Sequence, residues 1–364
     1  MKTILLGDAM IPVDGFVAAY EKELGQYGEV IASGNFEDDW DQLQYRRLEV
    51  EKNGPEIEEA DQLVLENGQN ADSIMGLFVP ISEKVMEAMP NLRLVGVSRA
   101  GTENVNVEEA TKRDILVINV QGRNAHAVSD YTVGMMLAEA RNIARGHYSI
   151  VNGGWRKEFS NGDYIPEIGG KTIGLVGFGH IGQLVAQKLS GFKPEKVIVY
   201  DPYTSAEVIA EGRATKVESL EEVMSESDFI SVHARLSDDN KGMIGEHEIG
   251  LMKKTAIFVN TARAGLIDYN ALTKALEEEK ILGAALDVFP TEPLPEDDKL
   301  RQLDNVTLTT HVAGTTADVL TNSPYLLAED VAKLFKDGEK PSFIVNPEVL
   351  ESQAFKSWLA EQKA

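Results

Sequence analysis

Three observations predict an α/β protein built on a doubly wound parallel sheet. Residues 172–176 form a short apolar, partly β-branched run, as expected of a strand buried on both faces. The run leads directly into GFGHIG, with Gly177, Gly179 and Gly182 spaced as G-x-G-x-x-G, and residues 181–189 continue with apolar positions at helical spacing. A second strand-like run, KVIVY, ends at Asp201, nineteen residues after Gly182. Each glycine has a separate task there: the first permits a tight turn, the second lets backbone approach a pyrophosphate, and the third allows close packing of helix on strand. Unpaired amides and the positive end of the helix dipole then favour an anion without any basic side chain. A carboxylate at position 201, opening an Asp-Pro turn with Pro202, accepts hydrogen bonds from ribose hydroxyls and repels a 2′-phosphate, so NAD is expected over NADP.

Taken from the start, residues 3–6 read as a strand, residues 15–24 as a helix with Phe16, Val17, Tyr20 and Leu24 on one side, and Val30 and Ile31 as a second strand. Residues 35–69 are acidic and rich in Gln, and are expected as a surface helix and turn leaving the core. Strands at 73–79, 92–97 and 115–119 alternate with helices beginning near Ser82 and Val107, which makes a small α/β domain. Residues 127–146 are apolar on more than one side and predict one long buried helix, with the domain boundary at 122–124. Beyond Asp201, helices at 205–211, 219–224, 247–252 and 269–279 accompany strands at 229–233, 256–260, 283–288 and 306–309. A last helix at 317–336 precedes a tail whose Ile344, Val345, Val349 and Leu350 return apolar side chains to the first domain.

Composition narrows the function. With 59 acidic against 35 basic residues the net charge is -24, which opposes nucleic acid and anionic membranes as partners and favours a small-molecule substrate. The chain has no cysteine, and its six histidines lack ligand spacing, so no disulfide and no metal are expected. The N-terminal apolar run reaches Asp8 too soon for a signal peptide, and a cytoplasmic location is the expectation.

Chemistry is expected at the carboxyl ends of strands, where open α/β sheets bind ligands. Ser98, Arg99, Ala100 and Gly101 follow one strand of the first domain and offer backbone amides to a carboxylate. In the second domain TARAG presents Arg263, whose guanidinium clamps a carboxylate through two parallel hydrogen bonds and polarises a neighbouring carbonyl. HVAG presents His311, which exchanges a proton near neutral pH, and DVFPTEP presents Glu292 to pair with its imidazolium. Arginine, glutamate and histidine together suit carbonyl reduction, in which hydride addition leaves an alkoxide that needs both a proton and charge stabilisation.

SRAGTENV, GFGHIG, VYDP, NTARAGLID, DVFPTEP and HVAG, in that order, are similar to motifs of the D-isomer-specific 2-hydroxyacid dehydrogenases, nearest to the phosphoglycerate dehydrogenase branch. The resemblance implies a Rossmann cofactor domain, residues 123–315, inserted into a smaller flavodoxin-like substrate domain formed by residues 1–122 and 316–364. It implies Arg263, Glu292 and His311 as the catalytic triad. His180, Ile181, Asp201, Pro202, His233 and Gly314 are implied as cofactor contacts, with Thr261, Ala262 and Asp287 near the nicotinamide. Ser98, Arg99, Ala100 and Gly101, together with Arg263, are implied to bind substrate, and a homodimer is implied through the cofactor domains. The expected reaction is hydride transfer between NAD(H) and a small D-2-hydroxy acid of the 3-phosphoglycerate type. Glyoxylate, hydroxypyruvate or a sugar-derived 2-oxo acid is the alternative substrate. The family usually has proline where this chain has Arg235, which would place a guanidinium near the cofactor or cleft and help hold an anionic or phosphorylated substrate. From another class, an NAD-sensing corepressor shares the fold, but the triad and the negative charge argue against it.

Overall fold

The computed structural model describes residues 1–363. The chain forms two compact units, one of Met1–Arg123 with the residues from Thr316 onward, the other of Asn124–Thr315.

The first unit begins β1 (Lys2–Gly7), α1 (Val13–Glu23), β2 (Glu29–Asn35), α2 (Trp40–Asn53) and α3 (Gln62–Asn67). It continues β3 (Ser73–Gly76), α4 (Glu83–Ala88), β4 (Leu94–Val97), α5 (Val107–Lys112) and β5 (Leu116–Asn119). Its sheet runs β2-β1-β3-β4-β5 with every pairing parallel, the flavodoxin-like order. β3, β4 and β5 are buried at every position, so they appear in the sequence as apolar runs and not as an alternation.

The acidic stretch at 35–69 does not leave the core. α2 starts where the Asp39 carboxylate accepts from the Gln42 amide, and it buries Leu43 and Val50, while α3 buries Val64. Leu43 and Val64 belong to the same apolar cluster as β1, β3 and β4. Three buried aliphatic positions among many acids are too sparse a stripe to read as a core-facing helix pair.

In the second unit come α6 (Ala125–Ala140), α7 (Ile143–Val151), β6 (Thr172–Val176), α8 (His180–Leu189), β7 (Lys196–Tyr200), α9 (Ala206–Glu211) and β8 (Thr215–Lys216). They are followed by α10 (Leu220–Glu226), β9 (Phe229–Val232), α11 (Glu246–Gly250), β10 (Ile257–Asn260), α12 (Tyr269–Glu277), β11 (Gly283–Leu286) and β12 (Val306–Leu308). The parallel sheet is ordered β12-β11-β10-β9-β6-β7-β8, so strand order reverses beside β6, where the Gly-rich turn sits. β8, a two-residue edge strand, has no counterpart among the expected elements.

One long helix was expected over 127–146, and the structure has two. Asn142 takes a left-handed conformation at φ 57°, tolerated by Asn, and its side-chain amide donates to Asn161 Oδ1 at 2.7 Å. The apolar pattern runs through the break, so periodicity does not reveal it. The chain then re-enters the first unit as α13 (Ala317–Ala332), a turn at Lys333–Phe335 in place of the last expected helical residues, and an unanticipated α14 (Gln353–Lys363). α14 carries Phe355 and Trp358 into the first unit's core. Among the described residues no helix is long and apolar enough to cross a membrane.

Candidate active site

β6 is followed by Gly177 at φ +98°, a conformation that side chains rarely adopt. A Cβ there would also lie 2.6 Å from the Ala234 amide nitrogen. A Cβ on Gly182 would collide with the Gly177 carbonyl, so α8 can pack this closely only with glycine at that position. A Cβ on Gly179 would meet nothing within 4 Å. Gly179 is the N-cap of α8, and no side chain of the N-cap residue caps the helix. A helix start without a capping side chain, behind a glycine turn, has the polarity of a phosphate site, and a dinucleotide pyrophosphate fits it.

Asp201, just past β7, is 7% exposed, and its carboxylate organises the turn. Oδ2 accepts from the Phe178 amide at 2.7 Å, and Oδ1 from the amides of Tyr203 and Thr204 at 2.8 and 2.9 Å. A carboxylate has about four lone-pair sites, so capacity for a ribose hydroxyl remains on Oδ2. Pro202 beside it is exposed. His233 follows β9; burial pushes its pKa down to about 3, and its Nε2 is shielded without a partner among the described residues. A neutral ring with an unmet nitrogen beside the Gly-rich turn also suits a bound group.

Arg263 is set by a residue that the sequence reading passed over. Asn260 ends β10; its Oδ1 accepts from the Ala262 amide at 2.9 Å and its Nδ2 donates to the Arg263 carbonyl at 3.1 Å. Asx turns of this kind are a local signal, legible in principle from Asn-Thr-Ala-Arg. The exposed guanidinium makes one hydrogen bond, from Nη1 to the Ala262 carbonyl at 2.7 Å, and has no acidic partner among the described residues. The Thr261 hydroxyl meets the Thr132 hydroxyl on α6 at 2.7 Å and so is engaged within the protein.

His311 sits at φ 56°, an unusual value for a β-carbon residue that persists where surroundings over-determine it. Asp287, which the resemblance puts near the nicotinamide, supplies that restraint. It is fully buried, and its oxygens accept from Thr309 Oγ1 at 2.6 Å and from the amides of Val312 and Ala313 at 3.1 and 3.0 Å. Gly314 completes the loop, since a Cβ there would lie 2.5 Å from the Asn124 side-chain amide. The imidazole Nδ1 then meets Glu292 Oε2 at 2.7 Å, while Glu292 Oε1 accepts from the Phe289 amide at 2.9 Å. Arg263, Glu292 and His311 line one cleft of about 670 Å³, joined there by Lys241, Leu236 and Phe289, none of which the sequence singled out. Arg235 is exposed and is not among the residues lining that cleft.

In the first unit, the loop after β4 has the Ser98 hydroxyl fully buried and unpartnered. Arg99 is engaged, with Nη2 2.9 Å from Glu51 and 3.2 Å from Glu103. Asn119 Nδ2 donates to the Ala100 carbonyl at 2.5 Å, and the Val120 amide to the Arg99 carbonyl at 3.1 Å, which fixes the loop ahead of Gly101. Among the described residues Glu221, His247 and Glu248 bring ligand atoms within 4.8 Å of one another, but they are exposed or half-buried and Glu248 already accepts from the Gly245 amide.

Residues 133–313 match the model of the NAD binding domain of D-isomer specific 2-hydroxyacid dehydrogenases. A glyoxylate reductase of Korarchaeum cryptofilum is 36% identical over 291 residues, covering 79% of this chain and 87% of that protein. A D-3-phosphoglycerate dehydrogenase of Methanocaldococcus jannaschii is 38% identical over 291 residues, 80% of this chain but 52% of that longer protein. Among solved structures, the NAD complexed form of a D-isomer specific 2-hydroxyacid dehydrogenase from Lactobacillus delbrueckii ssp. bulgaricus is similar at a TM-score of 0.73 and 25% identity, covering 95% of this chain and all of that one.

Proposed function

Because this chain belongs to the D-isomer specific 2-hydroxyacid dehydrogenase family, an NAD-dependent enzyme family, we propose that Arg263, Glu292 and His311 interconvert a small 2-oxo acid and its D-2-hydroxy acid, with 3-phosphohydroxypyruvate and 3-phosphoglycerate as the pair. The observation that carries this reading is the His311–Glu292 pair at 2.7 Å in the cleft that Arg263 also lines. The second unit is then the cofactor domain and the first unit the substrate domain.

When bound, the nicotinamide supplies or accepts the hydride. Nδ1 of His311 is engaged by Glu292, so Nε2 is the atom that gives a proton to the forming alkoxide and takes one back in the reverse direction. Glu292 holds the ring in one orientation and stabilises it while charged. Four of the five N–H donors of Arg263 remain available after its bond to Ala262, enough for a bidentate carboxylate clamp that also polarises the carbonyl. Asp287 and Asn260 act as positioning residues for His311 and Arg263.

Glyoxylate is the second substrate assignment, favoured by the fuller overlap with the glyoxylate reductase than with the phosphoglycerate dehydrogenase. Absorbance of NADH in the presence of 3-phosphohydroxypyruvate, hydroxypyruvate, glyoxylate and pyruvate decides between them. Failure with all four overturns the reading.

Asp201 is proposed as the ribose-binding carboxylate. NADH is expected to be used at least ~10-fold better than NADPH, and Asp201→Ala to narrow that ratio, because a buried carboxylate opposes a 2′-phosphate. Equal kcat/KM with both cofactors in the wild type removes this role. A homodimer joined through the cofactor unit is supported by α7 and the loop after it. Tyr148 is 70% exposed and Trp155 76%, with Ile143, Ile150 and Val151 also more than half exposed. Sedimentation is expected to give the mass of two chains for the wild type and of one for Ile150→Glu. A single-chain mass for the wild type excludes the dimer.

A further inference from the structure

We propose that Arg47, on α2, forms a subsite for a second anionic group on the substrate, beyond the 2-oxo acid end. The proposal rests on the dehydrogenase reading above and adds a specificity-determining residue to it.

Three residues of α2 at helical spacing, Gln44, Arg47 and Glu51, lie on one side of the helix. That side faces the carboxyl ends of the adjacent parallel strands β3 and β4. Glu51 reaches Arg99 just past β4, and the Arg47 guanidinium lies 5.5 Å from the ring centre of Phe78, just past β3. Arg99 lies against the same ring at 4.9 Å. Phe78 is therefore a buried aromatic floor between two arginines, and the Ser98 hydroxyl, fully buried and unpartnered, is next to Arg99 in the chain.

The two arginines differ in what neutralises them. Arg99 has Glu51 and Glu103 within ion-pair distance, whereas Arg47 has no hydrogen bond or ion pair to any described residue. Its Nε is shut off from solvent and unsatisfied, as is Gln44 Nε2 one turn earlier on the same side. Two buried donors without acceptors on one helix face are uncommon, because each costs desolvation without return. Acceptor oxygens of a ligand at the Arg47 guanidinium give it the partner that the protein does not, and a planar guanidinium resting on an aromatic ring is pre-organised for a phosphate or carboxylate. The neighbouring Arg46 shows the contrast, since it is fully engaged with Glu37 and Glu58. The ends of β3 and β4 are where an open α/β sheet receives its ligand, and the loop assigned to the substrate carboxylate leaves the same edge. The shared chemistry is a distal anion, either a phosphate ester or a second carboxylate.

The test compares kcat/KM for 3-phosphohydroxypyruvate, oxaloacetate and glyoxylate in the wild type, Arg47→Met and Arg47→Lys, with NADH. Methionine keeps packing on Phe78 without the charge. The ratio of either distally anionic substrate to glyoxylate is expected to fall by ~10- to 100-fold in Arg47→Met, the usual effect of one charged hydrogen-bonding group, and to be partly restored in Arg47→Lys. A fall confined to the phosphorylated acid assigns a phosphate subsite, and one confined to oxaloacetate a carboxylate subsite. Calorimetric binding of 3-phosphoglycerate to the full chain is expected to weaken in parallel. Unchanged ratios in both variants, or the same loss for glyoxylate as for the anionic acids, overturn the proposal while leaving the dehydrogenase reading intact. Absence of turnover of every acid by the wild type overturns the dehydrogenase reading instead, and with it the subsite.

Discussion

Replacing His311 by alanine is expected to cut kcat/KM by ~10²- to 10⁴-fold in both directions, the range for a positioned general acid or base. The loss is symmetrical because one nitrogen, Nε2, carries the proton either way. Reduction consumes a proton and needs the imidazolium; oxidation releases one and needs the neutral ring. Glu292, 2.7 Å from Nδ1, holds the ring in the orientation that either transfer needs. In Glu292→Gln kcat/KM is therefore expected to fall in both directions, because the ring loses the carboxylate that orients it. The measurement is kcat/KM in both directions for the wild type and each variant. A fully active His311→Ala removes the mechanism, and a fully active Glu292→Gln removes the positioning role of the glutamate.

Arg263→Lys is expected to lose ~10²- to 10³-fold in kcat/KM for 2-oxo acid reduction, comparable to deleting a donor that stabilises a developing oxyanion. Lysine keeps the positive charge but not the planar fork, so both the carboxylate clamp and carbonyl polarisation fail together. The backbone turn should survive, since Asn260 holds it through the Ala262 amide and the Arg263 carbonyl and not through the side chain. NADH binding, read by fluorescence quenching, is accordingly expected to stay near the wild-type value. Retention of most of the efficiency places the clamp elsewhere.

The Gly-rich turn, the parallel strands and the strand-end positions of Arg263, Glu292 and His311 were readable in the sequence, because each rests on a requirement local in the chain. A tight turn needs glycine at Gly177, and a strand buried on both faces needs an unbroken apolar run, whatever surrounds it. Other features depended on residues distant in the chain. The break at Asn142 is held by Asn161 and is invisible to a pattern that stays apolar across it. Asp201 could be placed at its strand end, but that three amides already occupy most of its carboxylate follows only from the folded turn. That the Asp287 carboxylate braces the loop carrying His311 depends on contacts spanning more than twenty residues. The stretch at 35–69 looked peripheral because its composition is polar, yet Leu43, Val50 and Val64 seat it on the core and bring Arg47 over Phe78. Local backbone demands are written in consecutive residues, whereas the direction of a side chain and the partner that satisfies it exist only once distant segments have packed.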